Sequence, residues 1–356
     1  MKAIKEVAAL SIGTNIQKYR QRLCLSQQAL GQKLNVSEQT VRLWEEDKAV
    51  PTIENLKQLK DAFQISVDAI LAGQDDAKTN INENSLDTVC AALAYAMGIQ
   101  PPQHAAPKNG ALAAYVDEVF GGEKADRIVM YNPDAIAQWI YEKYPGFFQE
   151  IRQDVEARIP LAAVMPSVTP VCFGTMYTGA QPQVHGIRRY EKPVITIDTL
   201  FDALIRAGKK PALVTYGGSS LGKIYQKRNM DYFHFETKDR WEESSLPAVN
   251  AKVMELILQD DHDFIVVYNG NYDSVMHKFG PESPEALAEL RLNCHIFSCI
   301  SAMVKTHWQH HNTLLGFAMD HGCHEIDGGC GSHGLDMAED INIVHLYKGY
   351  AKRKQQ

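Results

Sequence analysis

Acidic and histidine residues gather at four places in this sequence, each beyond a stretch that reads as a β-strand. The first is Asp134, in RIVMYNPDAI. The second is PSVTPVCFGTMYTGAQPQVHGI at 166–187, the third is NYDSVMHKFGP, with Asp273 and His277 separated by three residues, and the fourth is AMDHGCHEIDGGCGSHG, with Asp320-His321 and, later, His333. A histidine taken singly is more often packed or solvent-facing than a metal ligand. The set is a different matter. Hard carboxylate oxygens mixed with imidazole nitrogens suit a pair of Zn²⁺, Mn²⁺ or similar ions.

Holding such a set requires elements that end in one place. Apolar runs predict strands over 127–131, 161–165, 211–216, 232–235, 264–268 and 314–318, with helices over 135–144, 197–207, 247–259 and 284–310. This alternation predicts an α/β domain, a mostly parallel sheet flanked by helices. The site then lies beyond the carboxyl ends of the strands. Residues 10–72 have another texture, with apolar side chains at helical spacing: Ile12, Ile16 and Tyr19, Leu30 and Leu34, Val41 and Trp44, then Leu56, Leu59 and Phe63. Ser26 and Ser37 stand where N-caps belong, and Pro51 marks a turn. The polar stretch GQDDAKTNINEN reads as a linker. The predicted organisation is a small all-α domain over 1–72, a linker over 73–84 and the α/β domain over 85–356.

A length of 356 residues allows about two domains. Acidic side chains (43) outnumber basic ones (36), for a net charge of −7, which speaks against a surface given over wholly to nucleic acid. Seven widely spread cysteines with no C-x-x-C pair fit reduced thiols better than a disulfide framework. The N-terminal stretch lacks the apolar core and cleavage pattern of a signal peptide. No run approaches 18 apolar residues, so no membrane span is expected, and the predicted location is cytoplasmic.

The motifs of the α/β part resemble the alkaline phosphatase superfamily, and within it the nucleotide pyrophosphatase/phosphodiesterase branch. Downstream of Thr169, the family's Thr-Gly falls at Thr178-Gly179 and its His-Gly-Ile at His185-Gly186-Ile187. The Asp-x-x-x-His, Asp-His-Gly and late His-Gly signatures follow in order, and the resemblance spans 127–346, with 86–126 leading into the same domain. It implies an alkaline phosphatase-like core and a metal-dependent phosphoric ester or anhydride hydrolase acting on a phosphorylated small molecule. By motif, one ion would be held by Asp273, His277 and His333, and the other by Asp134, Asp320 and His321. Thr169 would reach the second ion through its hydroxyl oxygen and act as the nucleophile. Zn²⁺ is the expected metal, with Mn²⁺ as the alternative. A threonine hydroxyl is a poor nucleophile at neutral pH, and a coordinated dication lowers its pKa. A phosphoryl-threonine would form and then be hydrolysed, with no need for a separate general base.

Eukaryotic members of this branch carry, three residues beyond the nucleophile, an asparagine that binds a phosphoryl oxygen. Here that residue is Cys172, a weak donor. The alternatives are a backbone amide of the 170–173 turn, or Asn269, Asn271 or Lys278. The sulfatase branch is disfavoured because its Cys/Ser-x-Pro-x-Arg signature is missing, and the phosphoglycerate mutases by their serine nucleophile and larger inserted domain. Phosphonoacetate hydrolase-like activity stays open, since that branch also uses a threonine and two metals.

The N-terminal module resembles the Cro/phage-repressor (XRE) helix-turn-helix family, on Ser26-Gln27, Val36-Ser37, Trp44-Glu45, Pro51 and Ile65-Ser66-Val67-Asp68. The resemblance implies a second helix crossing the DNA backbone and a third entering the major groove. Gln28, Glu38, Gln39, Thr40 and Arg42 are then the residues placed to reach bases or phosphates of double-stranded DNA. Paired half-sites would call for a homodimer. Residues 1–80 carry 11 basic and 10 acidic side chains, so phosphate attraction is weak, and Glu45-Glu46-Asp47 would weaken it further. A bundle used only for protein contact is the plainer alternative.

Three other features have bland readings. Cys323, His324 and Cys330 read as packing or as support for His321 rather than a third metal site. His307, His310 and His311 read as a solvated face, and Gly217-Gly218-Ser219-Ser220 is a weak phosphate-cradle signal. The sequence thus points to a two-metal phosphohydrolase fused to a DNA-binding-type module. Its rival is a transcription regulator whose C-terminal domain only senses a phosphorylated ligand. A pure sensor has no use for Thr169.

Overall fold

The computed structural model describes residues 11–23, 25–63, 67–72, 81–153, 155–236, 246–326 and 329–353. The chain forms two compact units, residues 1–81 and 82–356. In the first, α1 (Ile12–Arg22), α2 (Gln27–Lys33), α3 (Glu38–Glu45), α4 (Ile53–Phe63) and α5 (Val67–Ala72) follow in order. Ser11, Ser26 and Ser37 cap the first three, each hydroxyl accepting the amide of the residue three places on. Ile16, Tyr19, Leu30, Val41, Trp44, Leu59 and Ile70 close into one core. Ile65 and Ser66, two of the residues that carried the family resemblance, lie outside the described residues.

The acidic run at the end of α3 differs from its expected role. Glu45 is buried, and its carboxylate accepts Arg20 Nε and Nη2 at 2.5 and 2.8 Å and Gln27 Nε2 at 2.8 Å. Glu46 pairs with Lys48, and Asp47 accepts the amide of Gly13. Glu45 is thus neutralised inside the bundle and adds little field at its surface.

The second unit is built on strands β1 (Arg127–Pro133), β2 (Ala157–Ala162), β3 (Pro211–Tyr216), β4 (Asp231–Phe235), β5 (Phe264–Asn269) and β6 (Thr313–Phe317), a hairpin of β7 (His324–Ile326) and β8 (Cys330–Ser332), and β9 (Asn342–Tyr350). The main sheet has the order β2-β9-β6-β1-β5-β3-β4. β6, β1, β5, β3 and β4 pair in parallel, as the alternating pattern predicts. The central strands are buried on both faces, which is why they read as continuous apolar runs.

Three differences from the expected elements have local causes. β2 covers 157–162 rather than 161–165, because its antiparallel register with β9 runs from Ala157↔Tyr347 to Ala162↔Asn342. β9 itself is an added strand, antiparallel to β6 and β2. Asn82 to Asn84 belong to this unit rather than to a linker: Asn82 Nδ2 donates to the carbonyls of Leu161 and Ile343, and Ala162 N donates to Asn84 O. Among the described residues one helix, Pro284–His307, has the length and apolar composition of a membrane span, but it packs as a core helix. It buries Leu290, Cys294, Phe297, Ile300 and Val304 in the core of this unit.

Two histidines of this unit are built neutral. His345 Nε2 donates to Met319 O at 2.7 Å, and its Nδ1 lies 3.1 Å from the Tyr347 hydroxyl. His185 Nδ1 accepts the Ile187 amide. Burial lowers each from about 6.5 to about 4. The unfolded chain binds these protons below pH about 6.5 while the folded one refuses them until about 4. Stability is therefore full above that window and falls with pH inside it, by roughly 3 kcal/mol for each histidine. Thermal melts from pH 7 to 4 should show this decline, and His345→Gln should flatten it.

Candidate active site

The sequence-predicted ligands all reach the carboxyl side of the parallel strands. Asp134 follows the last residue of β1. After β5, the helix Asn271–Phe279 places Asp273 in its first turn and His277 four residues on, on the same face. Gly270, which precedes that helix, has no space for a β-carbon, because the Tyr216 and Tyr268 hydroxyls lie against it. Asp320 and His321 stand on the loop after β6, and the β7–β8 hairpin returns the chain to His333. Thr169 opens the helix Thr169–Thr178, with Pro170 in the first turn and the left-handed Gly179 (φ 70°) as its cap. Every residue of that helix is buried. The downstream motifs are structural: a β-carbon on Gly179 would meet Ala105 and Cys90 at 2.7–2.9 Å, and His185 Nε2 bonds Thr175 Oγ1 at 3.0 Å.

Two groups of ligand atoms result. Asp273 Oδ1 lies 3.3 Å from both His277 Nε2 and His333 Nε2, which are 3.1 Å apart. His321 Nε2 lies 3.3 Å from Asp134 Oδ1 and 3.3 Å from Asp320 Oδ2. Thr169 Oγ1 joins the second group, 3.3 Å from His321 Nε2 and 3.4 Å from Asp134 Oδ2. The His321 and His333 rings, 4.1 Å between centroids, put the groups side by side. Ligand atoms around a tetrahedral Zn²⁺ stand roughly 3.4 Å apart, given bonds near 2.0–2.1 Å.

The hydrogen bonds fit the same arrangement. His277 Nδ1 faces Gly331 O at 2.9 Å, His333 Nδ1 faces Ser167 O at 3.0 Å, and His321 Nδ1 faces Gly322 O at 2.9 Å. A carbonyl only accepts, so each Nδ1 carries a proton and each Nε2 is left to offer its lone pair inward. Asp273 Oδ1 and Asp320 Oδ2 are buried without a hydrogen-bond partner, a costly state unless a cation completes it.

The sequence model of the type I phosphodiesterase / nucleotide pyrophosphatase family matches residues 129–349. The chain belongs to that family. A helix-turn-helix model matches residues 16–70. Among solved structures, murine ectonucleotide pyrophosphatase / phosphodiesterase 5 is 13% identical, over 62% of this chain and 88% of its own, at TM-score 0.48. Phosphonoacetate hydrolase from Sinorhizobium meliloti 1021, in complex with phosphonoformate, is 17% identical over 56% of this chain and 57% of its own, at TM-score 0.41. The P22 c2 repressor, in complex with synthetic operator 9T, is 35% identical over 18% of this chain and 98% of its own, at TM-score 0.18. No curated protein matches this chain.

Within the phosphodiesterase unit, charge is concentrated where the two groups meet. Burial, then Asp134, pushes Asp320 well above the usual carboxylate range. Burial opposes a charge on His321, but Asp320 and Asp134 outweigh it and raise the imidazole to about 10. Burial likewise opposes ionisation of Asp273, and His277 and His333 overcome it and hold that carboxyl low. The metal-free site thus keeps protons where a dication would otherwise sit.

The expected phosphate contacts fare differently. Cys172 is fully buried with its thiol aimed at Val164 O, so it faces the core and not a substrate. The turn amides are spent as well: Val171 N and Cys172 N both donate to Val168 O, and Pro170 has none. Asn269 is buried too, its Nδ2 donating to the Tyr131 hydroxyl and its Oδ1 accepting the Asn271 amide. Asn271 is half-buried, and Lys278 is exposed with its ammonium 4.8 Å from the Phe279 ring centre. Cys323, His324 and Cys330 do not form one cluster, since His324 pairs with Asp340 and Cys330 with Lys278 O, and His321 is supported by Gly322 O instead. Ser219 caps the short helix after Gly217-Gly218 with its own hydroxyl, which fills the suggested phosphate cradle.

In the helix-turn-helix unit, Gln28, Glu38, Gln39 and Arg42 are exposed, and Arg42 Nη2 donates to Gln39 Oε1. Thr40 is half-buried, its hydroxyl 2.8 Å from Ser37 Oγ in the cap, so it is less free to reach a base.

Sequence reasoning missed Tyr268. Its buried hydroxyl donates to Asp134 Oδ2 and fixes that carboxylate. Tyr268→Phe is expected to keep the fold and weaken Zn²⁺ binding at the Asp134 group about tenfold or more, read by competition against a chromophoric chelator.

Proposed function

We propose that this chain is a two-metal phosphohydrolase of the phosphodiesterase/nucleotide pyrophosphatase type, with Thr169 as nucleophile, joined to a module that binds double-stranded DNA. The observation that carries the hydrolase reading is the shared orientation of three imidazoles. Each gives Nδ1–H to a backbone carbonyl and turns Nε2 towards buried carboxylate oxygens. Asp273, His277 and His333 would hold one ion, and Asp134, Asp320 and His321 the other. Bound dications of the Zn²⁺ or Mn²⁺ kind would lower the pKa of the threonine hydroxyl and neutralise charge on the phosphoryl oxygens.

The chain's own groups then have separate tasks. Thr169 Oγ1 attacks phosphorus in line with the leaving oxygen, the new Oγ1–P bond forms as the P–O bond to the leaving group breaks, and the hydroxyl proton departs to solvent as the leaving oxygen takes one up. Water cleaves the resulting phosphoryl-threonine and returns the hydroxyl to Thr169. The fully buried helix that Thr169 opens keeps the nucleophile in place. Tyr268 holds Asp134, and the three backbone carbonyls hold the imidazole planes. A ligand sensor would need the metal groups but not a hydroxyl 3.3 Å from His321 Nε2, so this contact supports turnover over sensing.

Protein loaded with Zn²⁺ or Mn²⁺ is expected to hydrolyse bis-p-nitrophenyl phosphate or p-nitrophenyl phosphate, with Thr169→Ala lowering kcat on the order of 10³-fold or more. Full activity in Thr169→Ala would refute the nucleophile assignment. Adding phosphonoacetate and dinucleotides to the substrate panel separates phosphonate from ester or anhydride specificity.

The exposed pair Gln39 and Arg42 on α3 supports the DNA reading. In gel shifts with DNA from upstream of the protein's own coding region, Arg42→Ala is expected to weaken the specific complex about tenfold. No shift by the wild-type protein would favour a protein-contact role.

A further inference from the structure

We infer a third metal site, formed by Asp260, His310 and His311 at the opposite end of the strands from the active site and suited to a borderline dication such as Zn²⁺ or Ni²⁺. His310 and His311 read from sequence as a solvated face. His307 and His310 are exposed, as that reading expects, but the long helix ends at His307 and the chain turns through Trp308, with His311 N donating to Trp308 O. That turn brings both imidazoles onto one carboxylate. His310 Nε2 lies 3.0 Å from Asp260 Oδ2, and His311 Nε2 lies 3.0 Å from both carboxylate oxygens. The ring centroids are 4.0 Å apart.

The ligand atoms lie within 4.8 Å of one another, the same convergence found in the two active-site groups. The 3.0 Å spacings need only open by a few tenths of an ångström to fit the roughly 3.4 Å edge of a tetrahedral Zn²⁺ site. Arg127 holds the other side of the carboxylate, its Nε 3.2 Å from Asp260 Oδ1, and orients it as hydrogen-bond partners commonly orient metal-bound carboxylates. The guanidinium is shared, since its Nη1 lies 2.6 Å from Asp263. Two imidazoles and a carboxylate favour Zn²⁺, Ni²⁺ or Cu²⁺ over Mg²⁺ or Ca²⁺. His310 is 62% exposed, which leaves the remaining coordination positions to water or to another ligand.

Asp260 precedes β5 and the histidines precede β6, so this group lies at the amino ends of the strands whose carboxyl ends carry the catalytic groups. A strand's length, about 20 Å, separates them. The site does not rest on the hydrolase reading. Full-length protein stripped of metal, equilibrated with Zn²⁺ and freed of excess should hold one more zinc per chain than the His310→Ala/His311→Ala double variant. Hydrolysis of the chromogenic diester and the metal-free melting temperature should be the same in both. Equal zinc contents would overturn the site. Should the double variant melt early, the exposed single change His310→Ala decides: Zn²⁺ competition should show the extra equivalent bound at least tenfold more weakly, and unchanged affinity would overturn the proposal.

Discussion

Three imidazoles, each donating Nδ1–H to a main-chain carbonyl, are the constraint on which the catalytic unit depends. The carbonyls belong to Gly331 in the β7–β8 hairpin, Ser167 just before the helix that Thr169 opens, and Gly322 after β6. A side-chain partner could follow its ring through rotamer changes, whereas a backbone carbonyl moves only with its whole segment. The orientation of the ligands is therefore written into the course of the chain. Ser167 directly precedes the fully buried helix Thr169–Thr178, so the His333 ring is tied to a well-packed segment.

The electrostatics follow from the same geometry. Asp134, Asp320 and the inner oxygen of Asp273 are buried close to one another, and such a set is stable only with compensating positive charge. Raised Asp320 and His321 are two responses to that shortage, whereas Asp273 stays low because His277 and His333 stand beside it. The small unit solves a comparable problem without an ion. Arg20 meets Glu45 through two nitrogens inside the bundle, where losing either partner would leave a buried charge unmatched.

How far the sequence could be read depends on whether a property is local. β1, β3, β5 and β6 were legible because strands covered on both faces are unbroken apolar runs. The six aspartates and histidines and Thr169 were named by motif order, and these are the residues the fold brings together. β9 went unread because His345 interrupts its apolar run, and that residue is tolerated only because Met319 O and the Tyr347 hydroxyl lie beside it. Cys172 and Asn269 were misjudged for a related reason: polar atoms near a motif look functional until their direction is known. In β5, alternate residues face opposite sides, so Asn269 turns to Tyr131 while Tyr268 turns to Asp134. The acidic run at the end of α3 likewise looked like one surface charge cluster because sequence does not reveal that Arg20 lies across from Glu45.

The antiparallel β9 also bears on the order of assembly. It is made after every other strand of the sheet, yet it is the strand that joins β2 to β6. While the chain is growing, β2 has no ladder partner in the main sheet, and the segment between β6 and β9, which carries Asp320, His321 and His333, has only one end anchored. Pairings this distant in sequence form slowly and leave edges open meanwhile. The parallel core can collapse early on the apolar burial of β1, β3 and β5, but the segment that carries Asp320, His321 and His333 is anchored at both ends only when the final strand is laid down. The last strand to be made therefore completes the sheet by joining β2 to β6.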